Sequence, residues 1–354
     1  MEKNRISHFE ETYITKSFGT LPNGQKVFSI VLINKNGVEL SVMNYGATIT
    51  SLKFPLSDFQ KIDVVLGFDN VENYMNSFDL PSAPYLGAVI GRYAGRIKNG
   101  TFSLNGAPIQ LNQNHGDNHL HGGTIGFSQG FWDIKNINTG ENPSITLAYG
   151  SAGNEENYPG NLSVEVTYQL TDANELNVAF HAKSDEDTIV NLTQHSYFNL
   201  DGHLENIGDQ RLYIHSGKML ETAADNVPTG NLIDVQNTPF DFSTPKKCPH
   251  SIDNTFVLKP DDKPAATLCS ESTNLKMSVY TNQPAVHVYV GGNCFGKIKG
   301  KENADYHSLS GICFETQNFP DAPNHDNFPS AVLKKGELYI HETTFKFELF
   351  NSML

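Results

Sequence analysis

Two short stretches of this chain set side chains that can move protons into strand-like surroundings. In NLTQHSYFNL (191–200), a period of two puts Asn191, Thr193, His195, Tyr197 and Asn199 on one face and Leu192, Phe198 and Leu200 on the other. His195 then sits on a rigid polar face, and imidazole is the side chain best suited to proton transfer near neutral pH. The plainer reading is a histidine satisfied by its neighbours on a solvated sheet face. In GICFETQNFPDAPN (311–324), Cys313, Glu315 and Gln317 alternate with Ile312, Phe314 and Thr316, so a carboxylate enters an apolar strand. A carboxylate there is costly unless paired or functional, the alternative being a surface glutamate at a strand edge. The two prolines that follow read as a rigid turn.

Two further stretches offer groups that could grip oxygen atoms. GAVIGRYAGRI (87–97) spaces two arginines among small residues; Gly91 and Gly95 permit close backbone approach or positive φ, and Arg96 could present its planar fork to a ligand. A glycine-rich bend carrying surface arginines is equally compatible. HGDNHLHGG (115–123) holds His115, His119 and His121, the last two on one side of an extended strand, which makes a metal conceivable. No carboxylate stands at a convincing ligand spacing in the sequence, so no metal is expected, and the double glycine puts His121 at a strand end facing a ligand. Asp253 in SIDNTF and Gln283 in NQPAVHVYVGG are lesser polar points, each compatible with a turn. GGNCFGKI (291–298) nearly spells a phosphate loop, but isoleucine replaces the magnesium-binding hydroxyl and no helical pattern follows.

The elements that must position these residues are strands. Runs such as VFSIVLI (27–33), VELSVMNYG (38–46), IDVVLGF (62–68), SITLAYG (144–150) and LSVEVTYQL (162–170) recur along the chain. Others span 176–182, 188–200, 211–215, 286–290, 312–316 and 337–349. With 29 Gly, 17 Pro and no sustained 3.6 period, an all-β fold is expected, the only helical candidates being short, such as 71–76. The stretch 220–255 reads as loop-like with interleaved apolar residues. No repeat or Pro/Gly/Ser linker divides the chain, so 1–354 reads as a single large antiparallel sandwich or barrel.

Charge narrows the partners. At 354 residues and a formal net charge of -14, the chain is a poor match for nucleic acid or an anionic membrane surface. No apolar run spans a bilayer and no secretion h-region opens the chain, so a soluble, cytoplasmic protein is expected, with oligomeric state open. The four cysteines, Cys248, Cys269, Cys294 and Cys313, form no C-x-x-C pair and read as free thiols.

Taken together, GRYAGRI, LHGG, NLTQHSYFNLDGH, the Asp253 turn, the QPAVHVY run and CFETQNFPDAPN resemble the aldose 1-epimerase (galactose mutarotase) family, in order and approximate spacing from about Val27 to Leu349. The resemblance implies a large antiparallel β-sandwich of the galactose mutarotase type with a sugar cleft on one face. It implies that anomers of free aldohexoses such as galactose or glucose are interconverted without a cofactor. It makes His195 the general acid and Glu315 the general base, with Arg96, His121, Asp253 and Gln283 contacting sugar hydroxyls. One position departs: the family commonly carries Asn before this arginine, where this chain has Gly95, and the change bears on sugar preference more than on the reaction. The competing expectations are a non-catalytic carbohydrate-binding sandwich, a hexose-phosphate 1-epimerase and a related lyase or glycosidase domain.

Overall fold

The computed structural model describes residues 13–57, 60–291 and 297–350. Cys294, most of GGNCFGKI and the opening residues considered for a leader lie outside these. Three antiparallel sheets dominate. A five-stranded meander runs in chain order through Tyr13–Thr20, Lys26–Ile33, Glu39–Met43, Thr48–Ser57 and Gln60–Asp63. A nine-stranded sheet is centred on Leu162–Leu170, Glu175–Ser184, Tyr339–Leu349 and Leu275–Thr281. The third, six-stranded, runs Tyr197–Phe198, Ile312–Gln317, Ala285–Val290, Ile252–Val257, Lys218–Thr222 and Pro228–Asp234. Its last three strands include segments that the sequence presented as loop, because Pro228–Asp234 is mostly solvent-facing and carries no clean apolar stripe.

Alternation drives the assembly. LSVEVTYQL buries Leu162, Val164, Val166, Tyr168 and Leu170 and turns the intervening residues outward. One apolar cluster joins Ile30, Leu40 and Leu52 of the meander, Val164, Val178 and Phe345 of the large sheet, and Val286, Val288 and Phe314 of the third. Each large side chain so buried contributes roughly 1.5–3 kcal/mol. The single α-helix among the described residues, Val71–Ser77, is one residue longer than its sequence signal and is capped by Asn70, whose side chain accepts from the Asn73 N–H.

The segment 191–200 departs from its pattern. It is not one half-exposed strand: Thr193–Gln194 pairs with Val89–Ile90, Tyr197–Phe198 pairs with Ile312–Cys313, and all ten residues are buried. Between these two ladders the His195 N–H donates to the Ala88 carbonyl and its own carbonyl accepts from Gly87. The chain switches pairing partners here, so both faces meet protein. Both asparagine side chains are spent on backbone, Asn191 donating to Ala94 and Asn318 carbonyls and Asn199 to those of Glu205 and Ser310.

Candidate active site

The outer face of the six-stranded sheet forms the floor of a cleft. Strand Ile312–Gln317 sends Ile312 and Phe314 into the core and Glu315 and Gln317 to the cleft; Ala285–Val290 likewise buries Val286 and Val288 and presents His287 and Tyr289. Register places Thr255 opposite His287, and His287 opposite Glu315, so three polar residues form a row across three strands. Glu315 is only 2% exposed, which removes the reading of a surface glutamate.

Two glycine-rich turns bring the opposite wall. Gly122, at φ +87°, packs so closely on Gly91 that a Cβ would lie 1.7 Å from the Gly91 carbonyl oxygen, hence the need for glycine in LHGG. His121 itself adopts φ +51° and leaves the strand, so His119 and His121 do not share a side as extended geometry suggested. His119 is locked away, one ring nitrogen 2.6 Å from the Asn112 carbonyl and the other 2.6 Å from the Tyr158 hydroxyl. His121 enters the cleft, with Nδ1 accepting from the Gly95 N–H at 3.2 Å. The two arginines divide in the same way. Arg92 is buried, its guanidinium donating to the Ser151 hydroxyl and to the carbonyls of Ser151, Ala152, Pro159 and Gly160, whereas Arg96 lines the cleft. At Gly95, φ is +81° and a Cβ would stand 2.8 Å from the Pro320 ring, so a side chain there would have to displace the turn after the Glu315 strand.

The structure brings His195, Glu315, Arg96, His121 and Asp253 to this one cleft, and does not bring Gln283 there. Gln283 precedes the Ala285–Val290 strand in a turn, and its amide donates to the Asn282 side chain. This matches the turn reading of the residue itself and not the sugar contact that the family resemblance implied; the outward alternation begins later and delivers His287 instead. His287, Thr255, Gln317 and Tyr85 are cleft residues that the sequence reading did not select. Alternation in AVHVYV and ETQ could have found the first and third.

His195 Nε2 lies 3.4 Å from Glu315 Oε1, closer than a sugar ring apart, and its Nδ1 faces the Cys313 thiol at 3.5 Å. Tyr85, Tyr197 and His121 surround the ring, with centroids at 5.8, 5.3 and 5.6 Å. Burial, reinforced by neighbouring positive charge, drives His121 well below the ordinary histidine range, so it presents a neutral ring. Burial pushes the Tyr85 phenol up to about 12, keeping it a neutral donor. Asp253 is 2.9 Å from His287 Nε2 and accepts from the Asn226 amide at 3.1 Å. Burial raises its carboxyl, but the His287 hydrogen bond and the charges of His287 and Arg96 outweigh that and hold it below the usual aspartate value.

Three buried polar atoms of the cleft residues have no hydrogen-bond partner among the described residues: Glu315 Oε2, Gln317 Oε1 and Arg96 Nε. Such atoms are expensive unless a ligand or water completes them. His121, His195 and Glu315 also place one donor atom each within 4.8 Å of one another, a set that could accept a cation. Spacing along the sequence does not reveal this set, because its three residues come from separate segments.

The matched family model is "Aldose 1-epimerase", over residues 29–346. The chain is 38% identical to the Bos taurus galactose mutarotase over 94% of its length and 97% of that protein. It is 33% identical to the aldose 1-epimerase of Escherichia coli (strain K12), with 92% and 96% covered. Among solved structures, an aldose epimerase homologue from C. elegans superimposes with a TM-score of 0.84 at 28% identity, covering 91% of this chain and 99% of that one. A galactose 1-epimerase from Lactobacillus acidophilus gives 0.83 at 28%, covering 96% and 99%. With the motifs, the sandwich and nearly full-length similarity in agreement, the chain belongs to the aldose 1-epimerase family.

Proposed function

We propose that this chain, acting as one unit, interconverts the α and β anomers of free aldohexoses, with Glu315 as general base and His195 as general acid. The reaction removes the proton from the anomeric hydroxyl and delivers one to the ring oxygen; the C1–O5 bond breaks to give the open aldehyde. Rotation about C1–C2 and the reverse transfers close the other anomer. Both oxygens are bonded to C1, so acid and base must act within a few ångströms of each other. The observation that carries the reading is the 3.4 Å approach of His195 Nε2 to Glu315 Oε1 at the floor of a polar cleft. Each positioned proton-transfer group is worth about 10² to 10⁴ in rate. Two together correspond to roughly 5 to 11 kcal/mol at ~1.36 kcal/mol per decade.

Neutral hydroxyls suit the rest of the lining. Arg96, His121, Asp253, Gln317 and Tyr85 offer donors and acceptors of both kinds. The described lining contains one arginine and no lysine beside two carboxylates, a poor setting for a phosphate dianion and hence for a hexose-phosphate substrate. The wall at Gly95, with no side chain, leaves sugar choice to the neighbours. No helix among the described residues is long and apolar enough to cross a membrane. The testing experiment is polarimetry of freshly dissolved α-D-galactose and α-D-glucose with EDTA present. Acceleration of both the approach to equilibrium and its reversal from the β anomer supports the reading; calorimetric galactose binding without acceleration would instead establish a non-catalytic sugar-binding protein. Loss of activity in EDTA, restored by metal, would mean that the His121, His195 and Glu315 atoms work through a cation.

A further inference from the structure

We propose that Thr255, His287 and Asp253 form a proton-dependent positioning relay, in which an imidazolium at His287 fixes the Asp253 carboxylate and turns the Thr255 hydroxyl toward the substrate as a donor. The inference rests on the sugar-epimerase reading above and concerns residues that reading does not use for proton transfer.

The geometry is a chain of hydrogen bonds across two strands. His287 Nε2 lies 2.9 Å from Asp253 Oδ1, and His287 Nδ1 lies 2.8 Å from Thr255 Oγ1. All three residues line the cleft, and Thr255 is 4% exposed. Among the described residues, His287 is the only hydrogen-bond partner of Thr255 Oγ1. A ring carrying two protons donates at both nitrogens. The Asp253 carboxylate and the Thr255 oxygen then accept, and the Thr255 proton is available to a sugar hydroxyl. When the ring loses a proton, the one that remains stays on Nε2, facing the carboxylate. Nδ1 becomes an acceptor, Thr255 must donate to it, and the cleft exchanges a donor for a lone pair.

The surroundings favour the charged ring. Asp253 faces His287 from Ile252–Val257, Glu315 from Ile312–Gln317, Arg96 from the strand Arg96–Ile97, and His121 from the glycine turn. Burial alone would push His287 down. The hydrogen bond to Asp253 and the charges of Glu315 and Asp253 outweigh burial and the opposing Arg96, and hold the ring above its ordinary value of about 6.5. His121, being driven neutral, adds no competing charge.

The sign follows. Donor and carboxylate are both in place below the His287 midpoint, and the donor is lost as pH rises through it. The test is steady-state mutarotation of α-D-galactose between pH 6 and 9, background subtracted, for the wild-type chain, His287→Gln and Thr255→Val. For the wild type, KM should rise about tenfold across the midpoint, the effect of one neutral hydrogen bond, with a pH profile separate from that of kcat. In His287→Gln the KM should be raised at pH 6 and constant within twofold to pH 9. In Thr255→Val it should equal the alkaline wild-type value throughout. Nitrogen-15 histidine NMR of the wild type should show both His287 nitrogens protonated at pH 6.5, a readout independent of whether the variants fold. A flat wild-type KM, a His287→Gln profile that keeps the alkaline rise, or a singly protonated His287 at pH 6.5 overturns the relay. A wild-type chain that fails to accelerate mutarotation overturns the epimerase reading along with it, whereas an active chain with a flat KM overturns the relay alone.

Discussion

The cleft face and the framework behind it use the same residue types to opposite ends. In the framework, buried charge is fully answered: Arg92 donates into a ring of carbonyls, and the Lys301 ammonium lies 2.7 Å from Asp63 and also donates to the Thr50 and Val65 carbonyls. In the cleft, Glu315 Oε2, Gln317 Oε1 and Arg96 Nε are buried with no partner among the described residues. One motif contributes Arg92 to the first region and Arg96 to the second; another divides His119 from His121 in the same way. Among these charged groups, satisfaction of the buried polar atoms, more than burial or residue type, separates Arg92 and Lys301, which hold the fold, from Glu315 and Arg96, which await a ligand.

Substitutions should break the two regions differently. Glu315→Gln keeps the shape of the cleft floor but removes the base, and kcat by polarimetry should fall about 10⁴-fold, roughly 5.5 kcal/mol, with galactose binding by calorimetry largely retained. Lys301→Met should leave KM within twofold yet cost about 3–5 kcal/mol in urea unfolding, since it strands a buried carboxylate. Its pH dependence has a sign. Burial raises Asp63, but Lys301 pulls it below its ordinary value. In the wild type, this stabilisation is complete above about pH 4 and fades as pH falls through the depressed value. In Lys301→Met the unpaired carboxyl is raised instead, so the variant should be most destabilised at neutral pH and relieved in mild acid. His195→Asn should lower kcat at least about 10²-fold, roughly 2.7 kcal/mol, with unchanged urea unfolding. Gln283→Ala, on the turn outside the cleft, should change neither kcat/KM nor stability measurably; a tenfold rise in KM would return Gln283 to the sugar site.

The same contrast sets what could be read from sequence. LSVEVTYQL announces its sheet because one face is core and the other solvent, and the all-β architecture follows from many such strands. The stretch 191–200 has the same alternation but meets protein on both faces, so its pattern could not tell that His195 lies at a change of sheet partner. His121 was legible as a strand-end histidine facing a ligand from the glycines beside it, though its left-handed backbone was not. Alternation in AVHVYV places His287 on the face opposite the valines, but its worth depends on Asp253 and Glu315 arriving from strands distant in sequence, which that pattern does not encode. Glu315 stood out as a carboxylate in an apolar strand; its distance from His195 is a property of strand order, which no local pattern encodes.

The most direct test of the central claim is the polarimetric relaxation of α-D-galactose at saturating concentration for wild type, His195→Asn, Glu315→Gln and the double variant. If the two residues act as one proton-transfer pair, the wild type relaxes far faster than buffer and the double variant is about as slow as the worse single variant, because paired catalytic groups are not additive. A double variant that relaxes at the wild-type rate would contradict the assignment.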